Sequence, residues 1–343
     1  MEEETLVYVE RDKLRELFKR KLTQAGLPEV QADKTADLMI FVDERGIHSH
    51  GSVRMQYYAE RISKQGYNLE PSLEFTQNGP SAGTYFGDNA VGHYVAYQAM
   101  EEAITMAENS GIGMVGVKEM GHSGAIGYFA EQAAKRGMVA ITVCQSDPMV
   151  VPYGGTKPYF GTNPIAFAAP RQSGEPILFD MATTVQAWGK ILDARSKHKS
   201  IPDTWAVDNQ GEPTTDPFEV AALLPVAGPK GYGLMMMVDI LAGSLLGLPF
   251  GQHVTSMYKD LSQYRRLGQF HIVINPAYFG DKTLFLEKVS EMVDELHDIK
   301  PAQGFEQVYY PGEIQETVKQ RYAKSGIPVA ESIYDYLVSE QLY

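Results

Sequence analysis

Five short apolar runs, separated by stretches of helical spacing, constrain the fold of this chain more than any other feature. The runs are GMVGV at 113–117, MVAITVC at 138–144, PIAFAA at 164–169, ILFDM at 177–181 and FHIVIN at 270–275. Each has the length of a strand, whereas the segments 90–109, 123–136, 184–198, 231–247 and 282–298 read as helices. Alternation of this kind suggests parallel strands joined by helical crossovers. The turn PRQSGEP between the runs at 164 and 177 is too short for a crossover, and it implies an antiparallel pair. The expected class is α/β (α+β).

The N-terminal part reads as helical. Leu14, Leu17, Phe18 and Leu22 share one face of a helix over 10–25, and Gly26 and Pro28 end it and start a second that runs to about Glu44. After the loop RGIHSHG, Ser52 is placed to cap a third helix, in which Met55, Tyr58 and Ile62 repeat at three and four. From about residue 72 the period changes, and QNGPSAG reads as a polar turn region. A chain of 343 residues can bury a full core as one large unit or as two to three closely packed domains. The expected division is a helical region at 1–75, an α/β core at 76–280, and a helical region at 281–343 that packs back on the first.

Charge and cysteine content narrow the function. With 43 acidic and 30 basic residues the net charge is -13, which argues against nucleic acid or an anionic membrane as partner. An anionic substrate would need local positive groups. Cys144 is the only cysteine, so the chain can form no intramolecular disulfide and no cysteine-ligated zinc site, as suits a reducing cytoplasm. The N-terminus MEEETLVYVERDKL lacks the regions of a signal peptide. The stretch GLMMMVDILAGSLLGLPFG at 233–251 has the length of a membrane span, but Asp239 near its centre would cost roughly 2.5 to 3.5 kcal/mol in a bilayer. A buried core helix is the better reading.

Gly111, Gly113 and Gly116 spell G-x-G-x-x-G, the dinucleotide fingerprint, but in the wrong context. That mechanism needs the glycines to follow a strand and open a helix, so that a pyrophosphate meets helix amides. Here they follow a helix and lead into a strand, so Gly111 reads as a helix C-cap.

Four other segments carry chemistry. In KEMGHSGAIGYF, His122 lies between glycines in a strand-to-helix loop, with the helix expected to begin near Ser123; an imidazole there can take a proton near neutral pH, or merely bond its neighbours. In GIHSHGSVRMQYYAER, Ser49 and His50 precede a helix N-terminus, and Arg54 and Tyr58 share a helix face. They could hold a carboxylate. Arg54 could equally be an ordinary surface charge, and His48 with His50 matches no recognised zinc spacing. In CQSDPMVVPYGG, Ser146 and Asp147 follow a strand and could face a cleft, while Cys144 reads as a packed strand residue. In AGPKGYGLMMM, glycines surround Lys230 before a helix, a cradle for pyrophosphate that lacks the spacing of a nucleotide-hydrolysing loop.

Taken together, RGIHSHG with Arg54, MGHSGAIGYF, SDPMVVPYGG, GTNPIAFAAP, FDMATT and GPKGYGL resemble the malate/L-lactate dehydrogenase superfamily, which is unrelated to the Rossmann lactate dehydrogenases. The likeness spans nearly the whole chain. It implies a non-Rossmann NAD(P)-binding fold with a largely antiparallel mixed sheet and a helical N-terminal region. The implied activity is NAD-dependent oxidation of a 2-hydroxy acid to a 2-oxo acid, with NADP left open, in a homodimer or higher assembly whose sites lie near the subunit interface. By motif, His122 would be the acid/base, and Ser49, His50, Arg54, Tyr58 and Asp147 would meet the substrate. Ser146, Asp180, Met181, Ala182, Lys230, Gly312 and Glu313 would meet the cofactor, and no metal is implied. The alternatives are malate, lactate, sulfolactate or cyclic imino acid chemistry on the same scaffold, a metal hydrolase built on His48, His50 and His122, and a catalytically dead binding protein.

Overall fold

The computed structural model describes residues 5–343. The chain opens with β1 (Leu6–Val9), α1 (Arg11–Gln24), α2 (Glu29–Asp43) and, after two 3-10 turns over 48–54, α3 (Met55–Ser63). There follow β2 (Glu74–Gly79), β3 (Ala82–Phe86), α4 (Gly92–Ser110), β4 (Ile112–Met120), α5 (Gly127–Lys135), β5 (Val139–Cys144), β6 (Ile165–Ala169) and β7 (Ile177–Met181). Then come α6 (Trp188–Ser196), β8 (Ala206–Val207), β9 (Ala222–Leu223), α7 (Pro229–Ala242), β10 (Leu267–Ile274), α8 (Lys282–Asp298), α9 (Glu313–Ser325), β11 (Ile327–Ala330) and α10 (Glu331–Val338). Local chemistry sets several ends. Glu10 accepts from the Asp12 and Lys13 amides to start α1, Asp281 accepts from Thr283 and Leu284 to start α8, and Gly111, at φ +85°, closes α4.

The five apolar runs become the heart of a seven-stranded sheet in the order β2-β3-β4-β10-β5-β6-β7. β3 and β4, joined by the α4 crossover, are parallel, and every other pairing in this sheet is antiparallel. A Rossmann domain needs a parallel sheet, so this topology excludes it. β10 arrives late in the chain yet inserts between β4 and β5, with Leu267 opposite Met120 and Gln269 opposite Cys144. Ile165 lies opposite both Val143 and Met181. The ends of β4, β5 and β7 and the starts of β6 and β10 therefore all meet at one edge.

Two apolar cores flank this sheet and the N-terminal unit. In the first, α4 and α5 bury Ala96, Ala99, Met100 and Phe129 against Val115, Ala140 and Ala166. In the second, Leu14, Phe18, Leu22, Met39 and Tyr58 pack with Ile327, Val329 and Leu337, so both chain ends share one interior. β1 and β11 pair, and the buried Lys21 ammonium donates to the carbonyls of Ser339 at 2.7 Å and Gln341 at 2.8 Å.

Several local expectations are corrected. Ser52 does not cap α3; it is buried in a 3-10 turn, and its amide donates to the Asp43 carboxylate at 2.7 Å. The helix after His122 begins at Gly127, not Ser123, which leaves a six-residue loop. QNGPSAG is not only a turn: its ends are strands, paired about Pro80 and Ser81. The apolar stretch at 233–251 breaks at Gly243, where a Cβ would come within 2.2 Å of Gln145 Nε2. Within it Asp239 is buried and accepts from the Gly251 amide at 2.9 Å, but Leu234, Met236, Met237 and Ile240 face outward. The helix is thus a core element on one face only. No helix among the described residues is long and apolar enough to cross a membrane.

The literal G-x-G-x-x-G match has a packing explanation. A Cβ on Gly113 would sit 1.9 Å from the Ala103 carbonyl oxygen of α4, and one on Gly116 would sit 2.3 Å from Leu246. These glycines admit close neighbours, not a phosphate. Gly113→Ala is expected to destabilise the protein by about 2 kcal/mol or more, seen as a lower thermal midpoint, whereas Gly280→Ala, with open space around its Cβ, should leave the midpoint within about a degree.

Candidate active site

The strand edge just described supplies a cleft of about 150 Å³. His122 follows β4, Ser146 and Asp147 follow β5, Thr162 precedes β6, Ala182 follows β7 and Arg265 precedes β10, and all of them line it. The N-terminal unit closes the other side with Ser49, His50 and Arg54.

The loop that carries His122 has little freedom. A Cβ on Gly121 would strike the Tyr67 ring at 2.2 Å, and Gly124 takes φ +74°, with Leu38 and His93 filling the space a side chain would need. Within this frame Tyr58 Oη and His122 Nδ1 are 2.8 Å apart. His50 stacks on His122 with ring centroids 6.0 Å apart, and His93 meets Tyr58 edge-on at 5.0 Å. Burial, then the neighbouring His50 and His93 rings, and then the Arg54 and Arg265 guanidinia, hold the His122 imidazole well below the usual histidine range. It is neutral at physiological pH.

Tyr58 was expected to offer its hydroxyl to a substrate, but that hydroxyl is committed to His122 and the residue is fully buried. Arg54 is oriented by two contacts, Nε donating to the Ser49 carbonyl at 2.9 Å and Nη1 to the Tyr258 hydroxyl at 3.0 Å. The Ser49 hydroxyl bonds His50 Nδ1 at 2.9 Å. Asp43, buried at the end of α2, shapes this turn by accepting from Ser52 and from His48 Nδ1 at 3.0 Å. His48 is thereby drawn away from the cleft, so the three histidines needed for a metal hydrolase do not converge, and no metal-holding group of His, Cys, Asp and Glu occurs among the described residues. The Cys144 thiol is buried and pushed up to about 12, as befits a packed strand residue.

Ser146 Oγ lies 3.0 Å from Thr162 Oγ1 at the cleft wall. Asp180 reaches back to the start of α5, where its carboxylate accepts the Gly127 amide at 2.7 Å. Although its side chain stays open to a cavity, the surrounding protein pushes its carboxyl up to about 6, with the Gly127 amide pulling the other way. That second cavity, of about 360 Å³, is lined by Asp180, Gly312, Arg45 and Tyr310 among others. Asp180 thus lines this second cavity, and Ala182, two residues on, lines the first. Gly312 takes φ +94° where a Cβ would meet the Leu178 carbonyl at 2.8 Å. Glu313 is half-buried, accepting from the Tyr310 amide at 3.1 Å and lying 2.9 Å from His297. Lys230 is exposed in the first turn of α7 and lines neither cavity.

Arg265, Met257 and Tyr258 were not anticipated. Nothing around SQYRRLGQ in the sequence resembles a motif, and its two arginines part company: Arg266 forks onto Glu119 at the surface, while Arg265 turns inward to Asp147.

A neutral, rigidly held histidine near cationic groups, in a cleft at the strand ends of a non-Rossmann sheet, defines a dehydrogenase site for small anionic alcohols. The chain belongs to the malate/L-lactate dehydrogenase family, whose model matches residues 9–338. It is 56% identical over 335 residues to ureidoglycolate dehydrogenase (NAD(+)) of Escherichia coli K12, covering 98% of this chain and 96% of that one. It is 38% identical to malate dehydrogenase of Pyrococcus abyssi, over 98% of this chain and 94% of that one. Among solved structures, sulfolactate dehydrogenase from Methanocaldococcus jannaschii superposes with a TM-score of 0.90 at 34% identity, covering 96% of this chain and 95% of that one.

The histidines also set a pH dependence of stability. His93 and His271 are wholly buried, and each is pushed down to about 3 by burial. In the unfolded chain they titrate near the ordinary value of about 6.5. Below that pH the unfolded state binds more protons, so stability is full above about pH 6.5 and is lost as pH falls toward the folded values. Denaturant unfolding at pH 5 should show a loss on the order of 2 kcal/mol per buried histidine relative to pH 7.5; equal stability at the two pH values would contradict their neutral burial.

Proposed function

We propose that this protein oxidises (S)-ureidoglycolate to oxalurate with NAD, in the breakdown of allantoin in the cytoplasm. The observation that carries the substrate assignment is the 56% identity over 98% of the chain to an enzyme of that name. The site supports the chemistry. Arg54, fixed by Ser49 and Tyr258, is the group to hold the carboxylate beside C2. His122 accepts the C2 hydroxyl proton, using the tautomer in which Nδ1–H donates to Tyr58 and the Nε2 lone pair faces the cleft.

The residues fit a dinucleotide, because Asp180 lines one cavity and Ala182, two residues on, lines the other, with the Ser146 and Thr162 hydroxyls at the cleft wall. Ser146, Asp180, Met181 and Ala182 would hold NAD, with Gly312 and Glu313 at the outer chamber. When bound, NAD supplies the acceptor for the hydride that leaves C2. Lys230 reaches neither chamber of its own chain, but it stands on α7 beside the exposed Leu234, Met236, Met237 and Ile240, the last of these 51% exposed. An apolar face of this kind fits a homodimer contact, through which Lys230 would reach a cofactor in the neighbouring subunit.

His122→Ala should lower kcat by about 10² to 10⁴ with NAD affinity nearly unchanged. In the wild type, kcat/KM should stay level as pH falls through about 6.5, the ordinary histidine value, and decline only well below it, because His122 is held well below the usual histidine range. NADH formation with ureidoglycolate beside malate and lactate tests the substrate: a higher kcat/KM on malate or lactate would remove it. Introducing charge by Met236→Glu with Ile240→Glu should convert the dimer to monomer in sedimentation and weaken NAD binding together.

A further inference from the structure

The wall of the reaction cleft contains a buried cation that the reading above does not use. Arg265 is 2% exposed. Its Nη2 pairs with one oxygen of Asp147, its Nε lies 3.3 Å from Thr255 Oγ1, and its Nη1 has no hydrogen-bond partner. A buried guanidinium N–H left unmade is costly, so such a group in a binding cleft is a donor waiting for an acceptor. Asp147 beside it is bonded by Arg265 on one oxygen and by the Met257 amide on the other. Each carboxylate oxygen can accept a second bond. The pair therefore offers a donor and an acceptor side by side, with no net charge.

We propose that Arg265 and Asp147 form the subsite for the group on the far side of C2 from the carboxylate, and that they select a ureido group there. The assignment rests on the ureidoglycolate reading. A ureido group is neutral and planar, with one carbonyl oxygen to accept from Arg265 Nη1 and N–H groups to donate to Asp147. A methyl group, as in lactate, leaves Arg265 Nη1 without an acceptor and gives Asp147 no further donor. A second carboxylate, as in malate, gains from Arg265 but meets the Asp147 charge. Sites built to hydrogen-bond a substrate group discriminate strongly against analogues that lack it.

The test measures kcat/KM for ureidoglycolate, malate and lactate with the wild-type enzyme, Arg265→Lys and Asp147→Asn. Lysine keeps the positive charge beside Asp147 but loses the fork, so kcat/KM for ureidoglycolate should fall about 10- to 100-fold, and at least tenfold more than for lactate. In Asp147→Asn the repulsion of a second carboxylate is removed, and the malate to ureidoglycolate ratio should rise about tenfold. Equal losses on ureidoglycolate and lactate in Arg265→Lys, or an unchanged malate ratio in Asp147→Asn, would overturn the subsite while leaving the substrate reading intact. Should Arg265→Lys fail to fold, Asp147→Asn alone decides. A wild type that prefers malate overturns the substrate reading first, in an arm that contains no variant, and removes the ureido assignment with it.

Discussion

Insertion of β10 between β4 and β5 is the constraint on which the site depends. Antiparallel pairing with both neighbours puts the start of β10 against the ends of β4 and β5. β6 and β7 extend the same register, so five segments far apart in the chain end at one edge. Backbone hydrogen bonds hold this arrangement, and a slip of one residue would turn every side chain to the opposite face. His122, Ser146, Thr162, Ala182 and Arg265 share a cleft because their strands cannot pair in another way without losing both the ladder and the core beneath it.

The cleft works by controlling charge in a confined space. Arg54 and Arg265 stand near His122, and burial with two further histidines keeps its imidazole neutral, while Arg265 is paired with Asp147 and Arg54 is bonded to neutral groups, the Ser49 carbonyl and the Tyr258 hydroxyl. The whole chain carries a net charge of -13, against which Arg54 stands as a local cation at the cleft wall. Tyr58 adds orientation. By engaging Nδ1 it determines which nitrogen faces the cleft, and the packed glycine loop prevents the ring from drifting.

Much of this was legible before folding was considered. The strands at 113–117, 138–144, 164–169 and 177–181 and the helices at 90–109 and 282–298 were located within a few residues, because strand and helix periods are local properties of the side chains. The misplaced helix start after His122 and the absent Ser52 cap have a common cause. Both depend on tertiary partners, Asp180 at Gly127 and Asp43 at Ser52, that lie tens of residues away or on a preceding helix. The outward apolar face of α7 was likewise invisible, since a run apolar on all sides does not say which side the rest of the chain will cover.

The sequence by itself determined the mixed class, the failure of G-x-G-x-x-G as a nucleotide fingerprint, the family resemblance, and the segments around His122, Arg54 and Ser146. Only the tertiary structure decided what those segments do to each other. It assigned Tyr58 to His122 instead of to the cleft, turned His48 toward Asp43, separated Lys230 from both chambers and brought Arg265 in beside Asp147. The physical reason is range. Periodicity, capping and turn chemistry act within a few residues, whereas burial, charge and the choice of hydrogen-bond partner arise from groups that become neighbours only when β10 enters the middle of the sheet.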